Sequence, residues 1–504
     1  MSTPTASHQQ VVPDRRRRLL VLVICSMSLL LVGLDATIVN VALPAIQRSF
    51  HSTLSGLQWT VDAYTLVLAS LLMLAGSTAD RLGRRRVFQA GLAVFSLGSL
   101  LCALAPDLEL LVAFRVLQAI GGAMLSPVAM SIVRNVFEDP RERAQAIGVF
   151  AAMFGISMAL GPVLGGLLVS AISWRAIFVV TVPFGLAAIA LTALFVPESR
   201  APRPRRIDPV GQVLVIAALA TLTYAIIEGE RVGFRAAGIV ALLALALGCF
   251  ATLVLYELRR REPLLEMRFF TSAPFAGASA IALCLSAALG GFLFMNTLYL
   301  QDVRGLSPMQ AGLCMLPTAT MMTVFAPLSG RLVGRFGARP SMVAGGLAVL
   351  AGGLMLTGLA PATSMPFLLG AYAVFGFGFA LVSPPIANTA VSGMPPAQAG
   401  VAAAVATTSR QVGITLGVAV FGAVAAGGFA GAIGPEFAAA TRPGWWIVAA
   451  LGLAVAALGY LTTTRWAQET ARRTAARLHV RRPPDRPTGA KVTLTHPERV
   501  PAAG

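Results

Sequence analysis

Apolar stretches of about twenty residues, separated by short polar connections, recur from Leu19 almost to Arg465. A helix of roughly that length crosses a ~30 Å hydrocarbon layer. A backbone in lipid must satisfy its own hydrogen bonds, so each stretch predicts a helix. Fourteen are predicted, near 19–41, 54–76, 86–105, 108–130, 144–169, 175–196, 209–228, 235–256, 273–300, 310–333, 340–359, 366–390, 399–427 and 443–464. An even number puts both termini on one side. The first stretch follows Arg15–Arg18, but it exceeds the roughly 7–15 apolar residues of a cleaved leader, and no small-residue cleavage site closes it. It is expected to remain as a span.

Composition agrees with the pattern. Of 504 residues, 56% are hydrophobic and 12% charged, against about 25% charged in soluble proteins. The net charge of +18 could suggest nucleic acid, but the positions of the basic residues argue for topology. With the N-terminal tail placed inside, 31 of the 39 Lys and Arg fall in inner loops and tails, six fall outside, and Arg115 and Arg410 lie within spans. That asymmetry places both tails in the cytoplasm. The basic residues line every inner loop but 391–398, so they form no single stripe for nucleic acid.

Other chemistries find little support. The five cysteines lie inside apolar runs without paired spacing, and the four histidines lie in tails or a loop. They suggest no disulfide framework, metal site or cofactor. With no histidine in a span, any proton carrier must be a carboxylate. No Walker loop is present, which argues against ATP-driven transport, and no catalytic constellation points to an enzyme.

Charges inside the spans are therefore the candidate functional groups. Asp35 and Asp62 are the acidic residues well inside, while Asp80, Glu228 and Asp302 stand at edges. A charge at membrane depth costs about 2.5–3.5 kcal/mol even on the mildest scales, so it needs a partner or a function. At 1.5 Å per residue, Asp35 lies roughly 24 Å from the inner start of its span, and Asp62 and Arg115 roughly 12 and 10 Å from the outer starts of theirs. All three fall in the outer half. A carboxylate whose ionisation depends on a nearby arginine can carry a proton. The competing possibility is a structural ion pair.

The chain also repeats itself. Gly76-Ser-Thr-Ala-Asp80-Arg81-Leu-Gly83-Arg84-Arg85 follows the second stretch, and Gly330-Arg331-Leu-Val-Gly334-Arg335-Phe-Gly337-Ala-Arg339 follows the tenth. Internal repeats around a central site are a common design of secondary transporters. The expected organisation is a basic tail (1–18), a six-helix half (19–200), two inserted helices (201–262), a second six-helix half (263–465) and a disordered cytoplasmic tail (466–504).

Leu34-Asp35-Ala-Thr37-Ile-Val-Asn40-Val-Ala-Leu-Pro44 resembles the first-helix motif of the fourteen-helix drug:proton antiporter branch of the major facilitator superfamily. The Gly76–Arg85 loop resembles that superfamily's inner-loop signature. Arg115-Val-Leu-Gln118-Ala-Ile-Gly121-Gly122 resembles its fourth-helix motif, and Gly155-Ile-Ser-Met-Ala-Leu-Gly161-Pro162-Val-Leu-Gly165-Gly166 the fifth-helix motif of its exporters. Trp174-Arg175 with Pro183, and Ser409-Arg410-Gln411-Val-Gly413, match further patterns of the branch. Gly334 departs from it, standing where aspartate is common, so control is expected to rest on the first loop.

The resemblance implies an all-α membrane protein of the major facilitator fold, exporting lipophilic drugs or antibiotics across a bacterial plasma membrane in exchange for protons. Asp35, Asp62, Arg115 and Arg410 would serve proton and substrate coupling. Gly76, Asp80, Arg81, Gly83, Arg84 and Arg85 would form a gating loop able to hold the halves together. Gly155, Gly161, Pro162, Gly165 and Gly166 would allow close helix approach. Met295, Met321, Met322, Phe325, Phe375, Phe377 and Phe379 are candidates for an apolar cavity, ordinary packing being the alternative. The implied partners are a small lipophilic substrate, protons and the bilayer, with no cofactor and no nucleic acid, and a monomer is expected. An exporter dedicated to one endogenous antibiotic is the rival reading; an uptake symporter fits the fifth-helix pattern less well.

Overall fold

The computed structural model describes residues 15–137, 139–201, 207–260, 263–392, 394, 398–428 and 433–479. The expected basic residues Arg203, Arg205, Arg206 and Arg261, and the tail segment 480–504, lie outside them. Among the described residues there is no strand.

The first six spans are α1 (Arg15–Phe50), α2 (Leu54–Leu82), α3 (Arg84–Leu104), α4 (Leu108–Val136), α5 (Pro140–Ala171) and α6 (Ala176–Phe195). The inserted pair is α7 (Pro209–Val232) and α8 (Ala237–Arg259). The last six are α9 (Ala273–Val303), α10 (Pro308–Phe336), α11 (Ala338–Leu356), α12 (Met365–Val391), α13 (Ala399–Ala426) and α14 (Glu436–Leu461). Thirteen of these are long and apolar enough to cross a membrane. In α5 the charges Arg141, Glu142 and Arg143 stand in the first turn, and the sequence beyond them carries no further charge up to Ala171. Its 32 residues nevertheless run from one end of the bundle to the other. Glu142 pairs with Arg18 at 2.5 Å where α1 begins, and Ser170 accepts a hydrogen bond from Met309 N at 3.2 Å where α10 begins.

Local chemistry sets several starts. The side chains of Thr53, Asp107, Asp139 and Asp208 accept backbone N–H bonds in the first turns of α2, α4, α5 and α7, and Ser307 with Gln310 forms a capping box on α10. Each satisfies donors that a helix start leaves free. The helix α1 runs nine residues beyond the predicted end at 41, carrying Pro44 inside it. The repeat is visible in the backbone. Gly83 closes α2 at φ +116° and Gly337 closes α10 at φ +78°, each donating its N–H to the carbonyl four residues back. Both conformations favour glycine.

The first inserted helix, α7, lies against α2 of the first half and α13 of the second, and α8 packs on α7. Gln212 on α7 donates to the Ser70 carbonyl of α2 at 2.7 Å. Glu228, at the edge of its span, accepts from Trp59 of α2 at 3.4 Å and pairs with Arg231 at 2.9 Å. One expectation is corrected. The tail after Arg465 is not disordered throughout, because Arg465–His479 is a further helix, α15. Ala467, Ala471 and Thr474 form its buried stripe, too weakly apolar to stand out in an arginine-rich sequence.

Candidate functional site

Glycines bring α3 and α4 together and so fix what α4 presents. A Cβ on Gly98 would meet the Gln118 backbone at 2.6 Å, and one on Gly121 would meet Phe95 N at 2.3 Å. From this locked helix, Arg115 and Gln118, one turn apart on one face, reach toward α1. The Arg115 guanidinium Nη1 donates to Asp35 Oδ2 at 2.6 Å and to Gln118 Oε1 at 2.7 Å, while Nε donates to the Thr60 carbonyl at 3.2 Å. Gln118 Nε2 donates to Asp35 Oδ1 at 2.9 Å and to Ser99 Oγ at 2.7 Å. Below the guanidinium lies the Tyr64 ring, 4.2 Å from Cζ to the centroid. Tyr64 fits because Gly122 has no side chain, a Cβ there falling 3.0 Å from the phenol oxygen. Asp35 is 0% and Arg115 1% exposed.

Asp35 and Arg115 are paired, and the ring of supports around them was not foreseen. Gln118 could have been found from its i+3 spacing to Arg115. Tyr64, Ser99 and the Thr60 carbonyl carry no such signal, because they reach the site from other helices. Such a network holds a carboxylate in place through two charge-assisted bonds. Protonating Asp35 would remove the acceptor charge and leave a buried guanidinium seeking other partners.

Asp62 is placed differently. It is fully buried, and among the described residues its hydrogen-bond partner is Thr65, whose hydroxyl donates to Oδ1 at 3.4 Å, while Oδ2 has none. Thr65 in turn accepts from Thr415 on α13 at 2.9 Å, so Asp62 lies one side chain away from the other half. A buried carboxyl without a counter-ion is tolerated best when it holds a proton. Arg410 on α13 is half-buried and has no hydrogen bond or ion pair among the described residues. The four predicted charges thus form one pair and two separate groups.

The fifth helix approaches α1 closely at two of its glycines. A Cβ on Gly161 would fall 1.9 Å from Thr37 Oγ1, and one on Gly165 would fall 2.7 Å from Ile38, both on α1. On its other side, a Cβ on Gly166 would fall 2.5 Å from Pro308 O, and the Pro162 carbonyl lies 2.2 Å from where Gly312 would carry a Cβ. These last two join α5 to α10 of the second half, at the arginine-poor end. Gln301 Nε2 donates to the Val41 carbonyl at 2.8 Å, and Arg48 pairs with Asp302 at 3.4 Å, at that same end. Farther along, a Cβ on Gly155 would lie 3.9 Å from Thr323 Oγ1, and one on Gly148, Gly330 or Gly334 would meet nothing within 4 Å among the described residues. The two helices therefore touch at one end and diverge toward the other.

The first inner loop is built within its own half. Asp80 Oδ1 accepts from Arg84 Nε at 3.2 Å and Nη2 at 2.9 Å, and the Asp80 carbonyl accepts from Ala201 N at 3.1 Å. Glu198, after α6, accepts from Arg85 N at 3.2 Å, pairs with Arg86 at 3.7 Å, and its carboxylate would clash with any side chain at Gly83. The Arg85 side chain donates to the Ala193 carbonyl, Arg81 is exposed, and a Cβ on Gly76 would lie 3.9 Å from Pro127. The expected bridge from this loop to the second half is not among these contacts. Of the cavity candidates, Met295 and Phe375 are 0% exposed. Phe375 stacks on Phe292 at 4.3 Å and Met295 fills the space beside Gly444, so both pack the second half's interior.

The sequence pattern of the Major Facilitator Superfamily matches residues 25–418. Multidrug resistance protein Stp of Mycobacterium tuberculosis is 39% identical over 422 residues, covering 84% of this chain and 78% of that protein. The Methylenomycin A resistance protein of Streptomyces coelicolor is 38% identical over 395 residues, covering 78% and 82%. Among solved structures, a bacterial homologue of the human lysosomal transporter Spinster, in an inward-facing unoccupied conformation, superposes with a TM-score of 0.62 at 19% identity. That match covers 92% of this chain and 99% of the other.

Proposed function

The chain belongs to the Major Facilitator Superfamily, and on that footing we propose that it exports lipophilic drugs or antibiotics across a bacterial plasma membrane in exchange for protons, conferring resistance. The observation that carries the reading is the buried Asp35–Arg115–Gln118 network, an ionisable acid held at membrane depth by a neighbour that responds to its charge. The arginine-rich end faces the cytoplasm in this reading. The divergence of α5 from α10 toward that end then corresponds to an inward-open state, ready to take substrate from inside.

Asp35 releases its proton to the cytoplasm and pairs with Arg115. After the bundle reopens outward, a proton from the lower-pH side neutralises Asp35, loosens the pair and favours substrate release. Asp62, linked through Thr65 to Thr415, reports its ionisation to the second half. The glycines of α5 set how closely the arginine-poor end can shut. The chain works as a monomer, since a complete set of these groups lies within it. Proteins named for resistance to methylenomycin A and for resistance to and export of tetracenomycin C are among its relatives, so a dedicated natural-product pump is the second reading. Expression in a pump-deficient host, assayed against a panel of lipophilic antibiotics, decides between them. Resistance to several unrelated compounds supports the broad exporter, resistance to one supports the dedicated pump, and resistance to none contradicts both.

A further inference from the structure

The helix α15 has a face that none of the described residues covers. Three residues separate it from α14, and that bend is pinned by Arg339, which donates to Thr463 Oγ1 and Thr463 O at 3.0 Å each and lies 4.8 Å over the Tyr460 ring. Its buried stripe docks beside the start of α9: Thr470 Oγ1 accepts from Ala273 N at 3.0 Å, and Thr474 shares a hydrogen bond with Thr271 at 3.0 Å. Held at both places, α15 stays beside the arginine-rich ends of the spans instead of extending into solvent.

The opposite face exposes Arg465, Arg472, Arg473 and Arg477, with Glu469 as the acidic residue among them. Glu469 lies 4.0 Å from Arg473, with both side chains largely exposed, so it offsets little of that charge. At the start of the helix, Trp466 is 64% exposed, next to Tyr460 at 54% and Leu461 at 52% on α14. Tryptophan and tyrosine favour the headgroup level of a bilayer, and basic residues just beyond it favour acidic lipid.

We propose that α15 docks on the acidic headgroups of the phospholipid leaflet at the arginine-rich end, Trp466 entering the interface and the four arginines gripping phosphate and glycerol headgroups above it. This assignment stands apart from the transport reading, since it requires only that the spans cross a bilayer. Each arginine held at such a surface strengthens binding about fivefold at physiological ionic strength, and added salt weakens it.

The full chain is placed in phosphatidylcholine nanodiscs that contain either brominated phosphatidylglycerol or brominated phosphatidylcholine at equal fraction. The emission lost on Trp466→Phe isolates the Trp466 signal. The proposal expects severalfold stronger quenching of that signal by the brominated anionic lipid, a difference that shrinks as salt rises. It expects the difference to vanish in the R465Q/R472Q/R473Q/R477Q variant, whose substitutions are all on the exposed face. Equal quenching by both lipids, no quenching by either, or an anionic preference that survives in the variant would each overturn it. Should the variant fold poorly, the salt titration of the unmodified chain still decides: an anionic preference that does not weaken with salt overturns the proposal.

Discussion

Adding one methyl group at Gly166 should open the arginine-poor end. A Cβ there would stand 2.5 Å from the Pro308 carbonyl oxygen and 2.8 Å from Met309 Cα. Both obstacles are backbone, so no rotamer change relieves them, and α5 and α10 must separate by most of an ångström. Overpacking of this kind costs about 1–3 kcal/mol. If the cost falls on the closed arrangement alone, the ratio of closed to open shifts by about 5- to 150-fold. A reporter cysteine at Ala311, which is 3% exposed on α10, measures the shift through its rate of labelling by a membrane-impermeant maleimide. Gly166→Ala should raise that rate by at least about fivefold in protein that remains monodisperse. An unchanged rate would refute the claim that this contact closes the end.

Three further outcomes follow from the same geometry. Arg115→Lys keeps the charge but cannot reach Asp35, Gln118 and the Thr60 carbonyl together; each lost charge-assisted bond is worth about 1.5–3 kcal/mol, so vesicle efflux should fall at least about tenfold. Asp35→Asn leaves the buried Arg115 without its counter-ion, a loss of about 3–5 kcal/mol. Asp62→Asn removes no ion pair and should show little of that loss, which thermal unfolding of the two purified variants would compare. Protease should remove the C-terminal tail in inside-out vesicles and spare it in right-side-out ones, if the arginine-rich end is cytoplasmic.

Much of the bundle could be read from the chain because lipid leaves few alternatives: an apolar stretch of the right length has to be a helix. Asp35 and Arg115 stood out for the same reason, since charge is rare and costly where they lie. What escaped reading depends on contacts between distant segments. Glu198, which holds the first inner loop, lies 113 residues from Arg85. Thr415, which connects Asp62 to the second half, lies 350 residues from Thr65. Neither has a periodicity to announce it. The Met and Phe residues of the second half illustrate a different ambiguity, because apolar side chains line cavities and fill cores with the same composition. The stripe of α15 was hidden by its small size, as alanine and threonine barely differ from a disordered polar tail.

The central claim is that Asp35 couples proton movement to export, and pH-gradient-driven efflux from reconstituted vesicles tests it most directly. With an imposed gradient, the unmodified chain should move substrate against its concentration while Asp35→Asn, present in the membrane at equal amount, should show no response to the gradient. Gradient-dependent export by Asp35→Asn at the unmodified rate would contradict the account.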